Sequence, residues 1–186
     1  MTHLGWEVTE DKFTAQTPIG NVPFTNIIAT LDPSACKRLV IACHYDSKIS
    51  PQGFLGATDS AVPCAMMIQM AQSLDGQLKR HQQQSHDTTL QFIFFDGEEA
   101  FRHWTRTDSL YGSRHLADQW NRVKFPQSVE DQAKCSKFSD LNSELDRMEV
   151  MVLIDLIGDS NPKFYSYFQN THSLHTRLIR IGKLKF

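Results

Sequence analysis

Arg38-Leu39-Val40-Ile41-Ala42-Cys43-His44-Tyr45 is a short, nearly continuous apolar run that ends in polar side chains. A strand with one wet face would alternate, so this run predicts a strand covered on both faces. Two more runs repeat the pattern: Thr89-Leu90-Gln91-Phe92-Ile93-Phe94-Phe95, which stops at Asp96-Gly97, and Met148-Glu149-Val150-Met151-Val152-Leu153-Ile154-Asp155. Between them the period changes. From Ser60 to Leu78, the apolar residues Val62, Met66, Ile68, Met70, Ala71 and Leu74 fit a helix, with Thr58, Asp59 or Ser60 available as N-cap and Pro63 in the first turn. Ser109 to Asn121 predicts a second helix. Upstream, Phe13–Thr17 and Phe24–Thr30 alternate on either side of a Pro18-Ile19-Gly20-Asn21 turn signal, which predicts an antiparallel hairpin. A hairpin followed by alternating strand and helix predicts an α/β sandwich with a mainly parallel central sheet.

The remaining segments are less regular. Leu78 to Asp87 and Lys124 to Asn142 read as exposed loops. Thr171 to Phe186 begins a helix-like pattern and stops at Gly182-Lys183-Leu184-Lys185-Phe186. Three or so core strands after a hairpin leave one sheet edge uncovered, so the expectation is a single domain over residues 1–186 that is C-terminally incomplete.

With 40% hydrophobic and 22% charged residues in a chain of 186, the composition is that of an ordinary globular domain. The formal charge of -2, with no basic run, makes nucleic acid a poor partner. No stretch approaches the roughly 18 apolar residues of a membrane span. The opening Met1-Thr2-His3-Leu4-Gly5-Trp6 lacks the apolar core of a signal peptide, so the chain read alone is expected in the cytosol. The cysteines, Cys36, Cys43, Cys64 and Cys135, form no CxxC pair.

In open α/β sheets, sites collect beyond the carboxyl ends of the parallel strands. Here His44 and Asp46 follow the first run, Asp96, Glu98 and Glu99 follow the second, and Asp155 closes the third, while Asp59 opens the first helix. Such a set of carboxylates and an imidazole suits zinc. Each residue also has a plainer reading. Asp59 would serve as a helix cap, Glu98 and Glu99 as a solvated turn, His44 as a structural histidine, and Trp104 and Phe101 as core. Asp155 resists this treatment, because a charge closing the run Met151-Val152-Leu153-Ile154 is costly unless paired.

The segments Ala42–Lys48, Gly56–Cys64, Phe94–Phe101, Asp108–Arg114 and Leu153–Gly158 closely resemble animal glutaminyl-peptide cyclotransferases, which are similar in fold to zinc aminopeptidases. The resemblance runs through nearly the whole chain. It implies a three-layer α/β/α sandwich with a mixed central sheet, one zinc ion, and conversion of N-terminal glutamine of peptides or proteins to pyroglutamate with release of ammonia. It implies Asp59 and Glu99 as metal ligands, Glu98 as the acid/base group, Asp155 as a proton-network or charge-stabilising residue, and Trp104 as a wall of the glutamine pocket. Adjacent glutamates leaving a strand point differently, so one can enter a metal shell while its neighbour faces substrate. Cys43 and Cys64 correspond to a disulfide of the secreted members, the alternative being two buried thiols. Cys36 and Cys135 are expected to be free. A disulfide implies the secretory pathway, against the bare N-terminus.

The family's third zinc ligand, a histidine, belongs to its C-terminal third, to which no motif here corresponds. His172 and His175 follow the third strand too soon to take that role. Two other functions compete: a zinc aminopeptidase, with His44, Asp59 and Asp155 in a second metal site, and a non-catalytic shorter product. Against the first, Ser60 stands where the two-zinc enzymes carry an aspartate. A monomer is the expected state.

Overall fold

The computed structural model describes residues 1–84, 87–158 and 163–183. Its centre is a five-stranded sheet in the order β1-β2-β4-β3-β5. The predicted hairpin is present: β1 (Glu7–Thr17) pairs antiparallel with β2 (Gly20–Thr30) from Glu7↔Thr30 to Thr17↔Gly20. β2 then joins β4 (Thr88–Phe95) antiparallel, while β3 (Lys37–His44) pairs parallel with β4 and with β5 (Met148–Leu153). The sheet is therefore mixed, with a parallel core of β4, β3 and β5.

Helices cover both faces. On one, Met67 and Ala71 of α1 (Val62–Ser73) pack with Trp6, Ala29, Leu31, Cys43, Phe92 and Phe94. On the other, Leu116 of α3 (Tyr111–Arg122) packs with Ile28, Val40, Ala42, Ile93 and Phe95. Both sets come from the same strands on alternate residues, as the pleat requires, which explains the continuous apolar runs. The three expected layers are present.

Several sequence expectations need correction. The first helix begins at Val62 with Ala61 as N-cap and no side-chain cap, so neither Thr58, Asp59 nor Ser60 caps it. It bends at Leu74 and continues as α2 (Asp75–Gln83), where a loop was expected from Leu78. Lys, Arg and Gln are good helix formers. Lys79 pairs with Asp75 at 2.7 Å, and Gln82 donates to the Leu31 carbonyl at 2.7 Å. The expected loop at 78–87 also includes Ser85 and His86, outside the described residues.

The expected loop at 124–142 contains α4 (Val129–Cys135), capped by Ser128 Oγ accepting from the Asp131 N–H at 3.0 Å. It is tied down by a disulfide from Cys135 to Cys36, so these two are not free. Cys36, Phe125, Cys135 and Leu141 form a small core of their own. The sequence separation of 99 is too long for spacing to suggest the pair. Cys43 and Cys64 are bonded as the resemblance implied. In the chain-entropy model the longer closure stabilises by about 4.7 kcal/mol and the shorter by about 3 kcal/mol.

β5 is not a buried strand. Among the described residues it pairs only with β3, and Met151 and Leu153 are exposed. The helix expected from Thr171 is α5 (His172–Lys183), and Leu184-Lys185-Phe186 lie outside the described residues.

Candidate active site

The carboxyl ends of the parallel strands carry the charge. His44 ends β3 and is followed by Asp46 and Lys48; Asp96 to Glu99 follow β4; Asp155 lies just past β5; Asp59 comes from the irregular turn 57–61 ahead of α1. The Asp96–Glu99 turn is fixed from several sides. The N–H groups of Leu110, Tyr111 and Gly112, at the start of α3, have no partner within the helix. They donate to the carbonyls of Glu98, Gly97 and Asp96 at 2.9, 2.7 and 3.0 Å. Gly97 has φ 63, and a Cβ there would run into the Phe24 ring; a Cβ on Gly112 would overlap Asn26 Oδ1 and the Asp96 carbonyl. Asp46 accepts the Glu98 N–H through Oδ1 at 3.1 Å and the Glu99 N–H through Oδ2 at 3.0 Å.

On this fixed backbone the two glutamate side chains part. Glu99 is 6% exposed, and its buried Oε1 accepts no hydrogen bond among the described residues. The nearest cation is Lys48, with Nζ 3.6 Å from Glu99 Oε1 and 3.2 Å from Asp59 Oδ2. Glu98 faces the other way, with Oε2 3.9 Å from His44 Nε2.

His44 organises that second side. Its Nδ1 lies 3.1 Å from the Asp46 carbonyl oxygen, and its Nε2 lies 3.0 Å from Asp59 Oδ1 and 3.5 Å from Asp155 Oδ1. Both ring nitrogens face acceptors, so both carry protons. Burial works against the charge, but hydrogen bonds to Asp155 and Asp46 and the charge of Glu98 outweigh it and hold the pKa at about 11. The acids divide accordingly. The hydrogen bond to His44 keeps Asp155 below the usual carboxylate range. Burial opposes ionisation of Asp46, but His44 and the N–H groups of Glu99 and Glu98 depress it. Burial pushes Glu98 up to about 7, with His44 opposing and Glu99, Asp155 and Asp46 reinforcing. Burial and Asp59 raise Glu99. A carboxyl group titrating near neutrality, beside fixed charges, can both take and return a proton.

Asp59 sits between two arrangements. One ligand atom each from His44, Asp59 and Asp155 lies within 4.8 Å of the others, close enough for one cation. Asp59 also shares Lys48 with Glu99.

Trp104 is 59% exposed and is not core. Its loop is held by buried Asp108, whose Oδ1 accepts from the Phe101 N–H at 2.9 Å and the Tyr111 hydroxyl at 2.8 Å. Oδ2 accepts from the N–H groups of Arg102 and His103 at 2.9 and 3.0 Å. Burial opposes this charge, yet these donors bring Asp108 down to about 2.

Residues 26–184 match Peptidase family M28. The chain belongs to this family. Among curated relatives, a glutaminyl-peptide cyclotransferase-like protein of Mus musculus is 46% identical over 182 residues, covering 96% of this chain and 44% of the relative. A glutaminyl-peptide cyclotransferase of Bos taurus is 47% identical over 180 residues, covering 93% and 47%. The solved glutaminyl cyclase of Macrostomum lignano superposes with a TM-score of 0.74 at 41% identity, over 94% of this chain and 49% of that one. The chain thus spans about half the length of the curated relatives it matches.

The residues singled out from sequence, Asp59, Glu98, Glu99 and Asp155, lie in one cluster with His44 and Lys48. Lys48 and Asp108 were not singled out. A lone lysine beside the acid-rich segment was a usable signal for the first. Asp108 resembles any loop aspartate until its four donors are known.

Proposed function

We propose that this chain carries the acid/base group and part of the metal site of a zinc-dependent glutaminyl-peptide cyclotransferase, acting on peptides or proteins with N-terminal glutamine. The observation that carries this reading is the parting of Glu98 and Glu99: one faces Lys48 beside Asp59, the other faces His44. The donor set fits zinc. Asp59 and Glu99 offer carboxylate oxygens, one of them buried without a hydrogen bond, and Lys48 already supplies a positive charge between them. Among the described residues no histidine joins Asp59 and Glu99 in a three-ligand group, so the third ligand stays an expectation from the resemblance.

Zinc held there would polarise the substrate's side-chain amide carbonyl as a Lewis acid. Glu98 takes a proton from the peptide's α-amino group as that nitrogen closes on the amide carbon, then passes it to the departing ammonia. Its pKa of about 7 suits both transfers. Asp155, held ionised by His44, offsets the positive charge that appears on the nitrogen. Trp104, on the loop fixed by Asp108, would wall the substrate side chain. The two disulfides support folding in an oxidising compartment, and the reading places the protein in the secretory pathway as a monomer.

The grouping of His44, Asp59 and Asp155 favours a second reading, a two-metal aminopeptidase. Zinc content, ammonia release from a glutamine-leading peptide and leucine release from a leucine-leading peptide separate the two. They are best measured on this chain and on one of the relatives' length. The cyclase reading expects one zinc and ammonia release from the longer chain, with little from this one. Leucine release with two metals bound would establish the hydrolase instead.

A further inference from the structure

The loop that carries Trp104 bears charge that the protein itself does not answer. Its residues Arg102-His103-Trp104-Thr105-Arg106-Thr107 are all exposed, between half-buried Phe101 and buried Asp108. The guanidinium groups of Arg102 and Arg106 have no hydrogen bond, ion pair or ring contact among the described residues. Other arginines are spent inside the fold. Arg38 and Arg114 donate to backbone carbonyls, Arg122 pairs with Asp118, and Arg147 pairs with Glu144. A chain of net charge -2 thus presents, on one short stretch, two unanswered cations and no acid.

These groups stand on a fixed base. The backbone turns around Asp108, which accepts the N–H groups of Phe101, Arg102 and His103. The turn is closed from its other side as well: Thr105 Oγ1 accepts the Asp108 N–H at 3.0 Å, and the Thr105 carbonyl accepts the Ser109 hydroxyl at 2.7 Å. Binding a partner therefore orders two side chains and not the loop itself. Arg102 and Arg106 lie two residues to either side of Trp104, so each Cα is within about 7.6 Å of the Trp104 Cα. Two residues of an extended peptide cover about the same length.

The chemistry of the partner follows from the two arginines. A guanidinium presents a planar fork of donors that matches a carboxylate. On the cyclase reading Trp104 lies against the side chain of the N-terminal glutamine, so the residues that follow it would leave the site over this loop. We propose that Arg102 and Arg106 select peptides that carry Asp or Glu at the third and fourth positions, each guanidinium pairing with one of the carboxylates. The proposal rests on the cyclase reading for the place of the glutamine, and on the loop alone for the sign of the charge. An anionic membrane is a poorer match, since basic clusters that hold one have about four or more cations.

The probes are the peptide amides Gln-Gly-Glu-Glu-Ala, Gln-Gly-Gln-Gln-Ala and Gln-Gly-Lys-Lys-Ala, with Ala-Gly-Glu-Glu-Ala to test the leading residue. Binding to this chain with zinc added is followed by the shift of the Trp104 indole N–H resonance, assigned by its loss in Trp104→Leu. At low salt the acidic peptide should bind about fivefold more tightly than the neutral one, with the lysine peptide weakest. Raising the salt to about 0.5 M should shrink that preference. The double variant Arg102→Gln, Arg106→Gln should fold like the parent, because neither guanidinium touches the rest of the protein, and should bind the acidic and neutral peptides alike. No saturable shift with the acidic peptide, equal binding of acidic and neutral peptides, or an acidic preference that survives in the double variant would overturn the proposal. Arginine-dependent retention on phosphatidylserine vesicles, with the peptides bound alike, would also overturn it and assign the loop to a membrane surface. If the acidic peptides lead but the glutamine-led and alanine-led forms bind equally, the charge selection stands and the cyclase reading fails. If glutamine matters and the acids do not, the reverse holds.

Discussion

Glu98 and Asp108 occupy the same loop between β4 and α3, and the protein treats them in opposite ways. Asp108 collects three backbone N–H groups and a tyrosine hydroxyl, and its pKa drops to about 2. Glu98 receives no side-chain hydrogen bond among the described residues, is pushed up by burial and by the charges of Glu99, Asp155 and Asp46, and rises to about 7. The contrast separates a carboxylate that holds a shape from one left free to exchange a proton. A carboxylate whose lone pairs are all occupied is a clamp. One left crowded and short of donors keeps a proton within reach at neutral pH.

The largest expected effect is on the clamp. Asp108→Ala leaves four donors unanswered and should lower stability by about 4 kcal/mol in urea or thermal unfolding. If the variant unfolds like the parent, Asp108 is not the clamp described. Next comes Glu98→Gln, which in a chain competent for turnover should cut the rate about 10²-fold while leaving zinc bound. Asp59→Ala and Glu99→Ala should lose the metal instead. Zinc lost from Glu98→Gln and retained by Glu99→Gln would reverse the roles of the pair.

In the metal-free protein the two groups should give opposite slopes of stability against pH. Glu98 keeps its proton when folded, so its ionisation destabilises the fold as pH rises from about 4.5 to about 7, by on the order of 1 kcal/mol given its partial exposure. Asp108 is depressed, so its contribution is full above its unfolded value of 3.8 and is lost as pH falls through about 2. Unfolding measured across this range should show a shallower neutral-side slope in Glu98→Gln, with the acid-side slope unchanged. The smallest effect is expected from Tyr111→Phe, which removes one of the four donors to Asp108 and should cost about 1 kcal/mol.

The apolar runs of β3 and β4, the hairpin and the register of acids at strand ends were legible in the sequence, because period and strand termination are local properties. So was the divergence of Glu98 and Glu99, which follows from where a strand stops. What escaped depends on contacts between distant residues. The Cys36–Cys135 bond joins segments whose spacing gives no hint, α4 is too short to show a period, and α2 lacks any fully buried residue to mark its face. β5 read as buried because its composition is apolar, while its outer face is covered by nothing among the described residues. Trp104 could be read as core or as pocket wall, and its exposure removes the first.

Lys48 gives the crevice a further property. Two carboxylates held close together repel one another unless a cation stands between them. The tethered ammonium of Lys48 stands between Asp59 and Glu99 and answers both charges at once. On the cyclase reading proposed above, a divalent ion taken up by Asp59 and Glu99 would replace this ammonium, so uptake would be an exchange of a monovalent cation on a flexible stem for a divalent one.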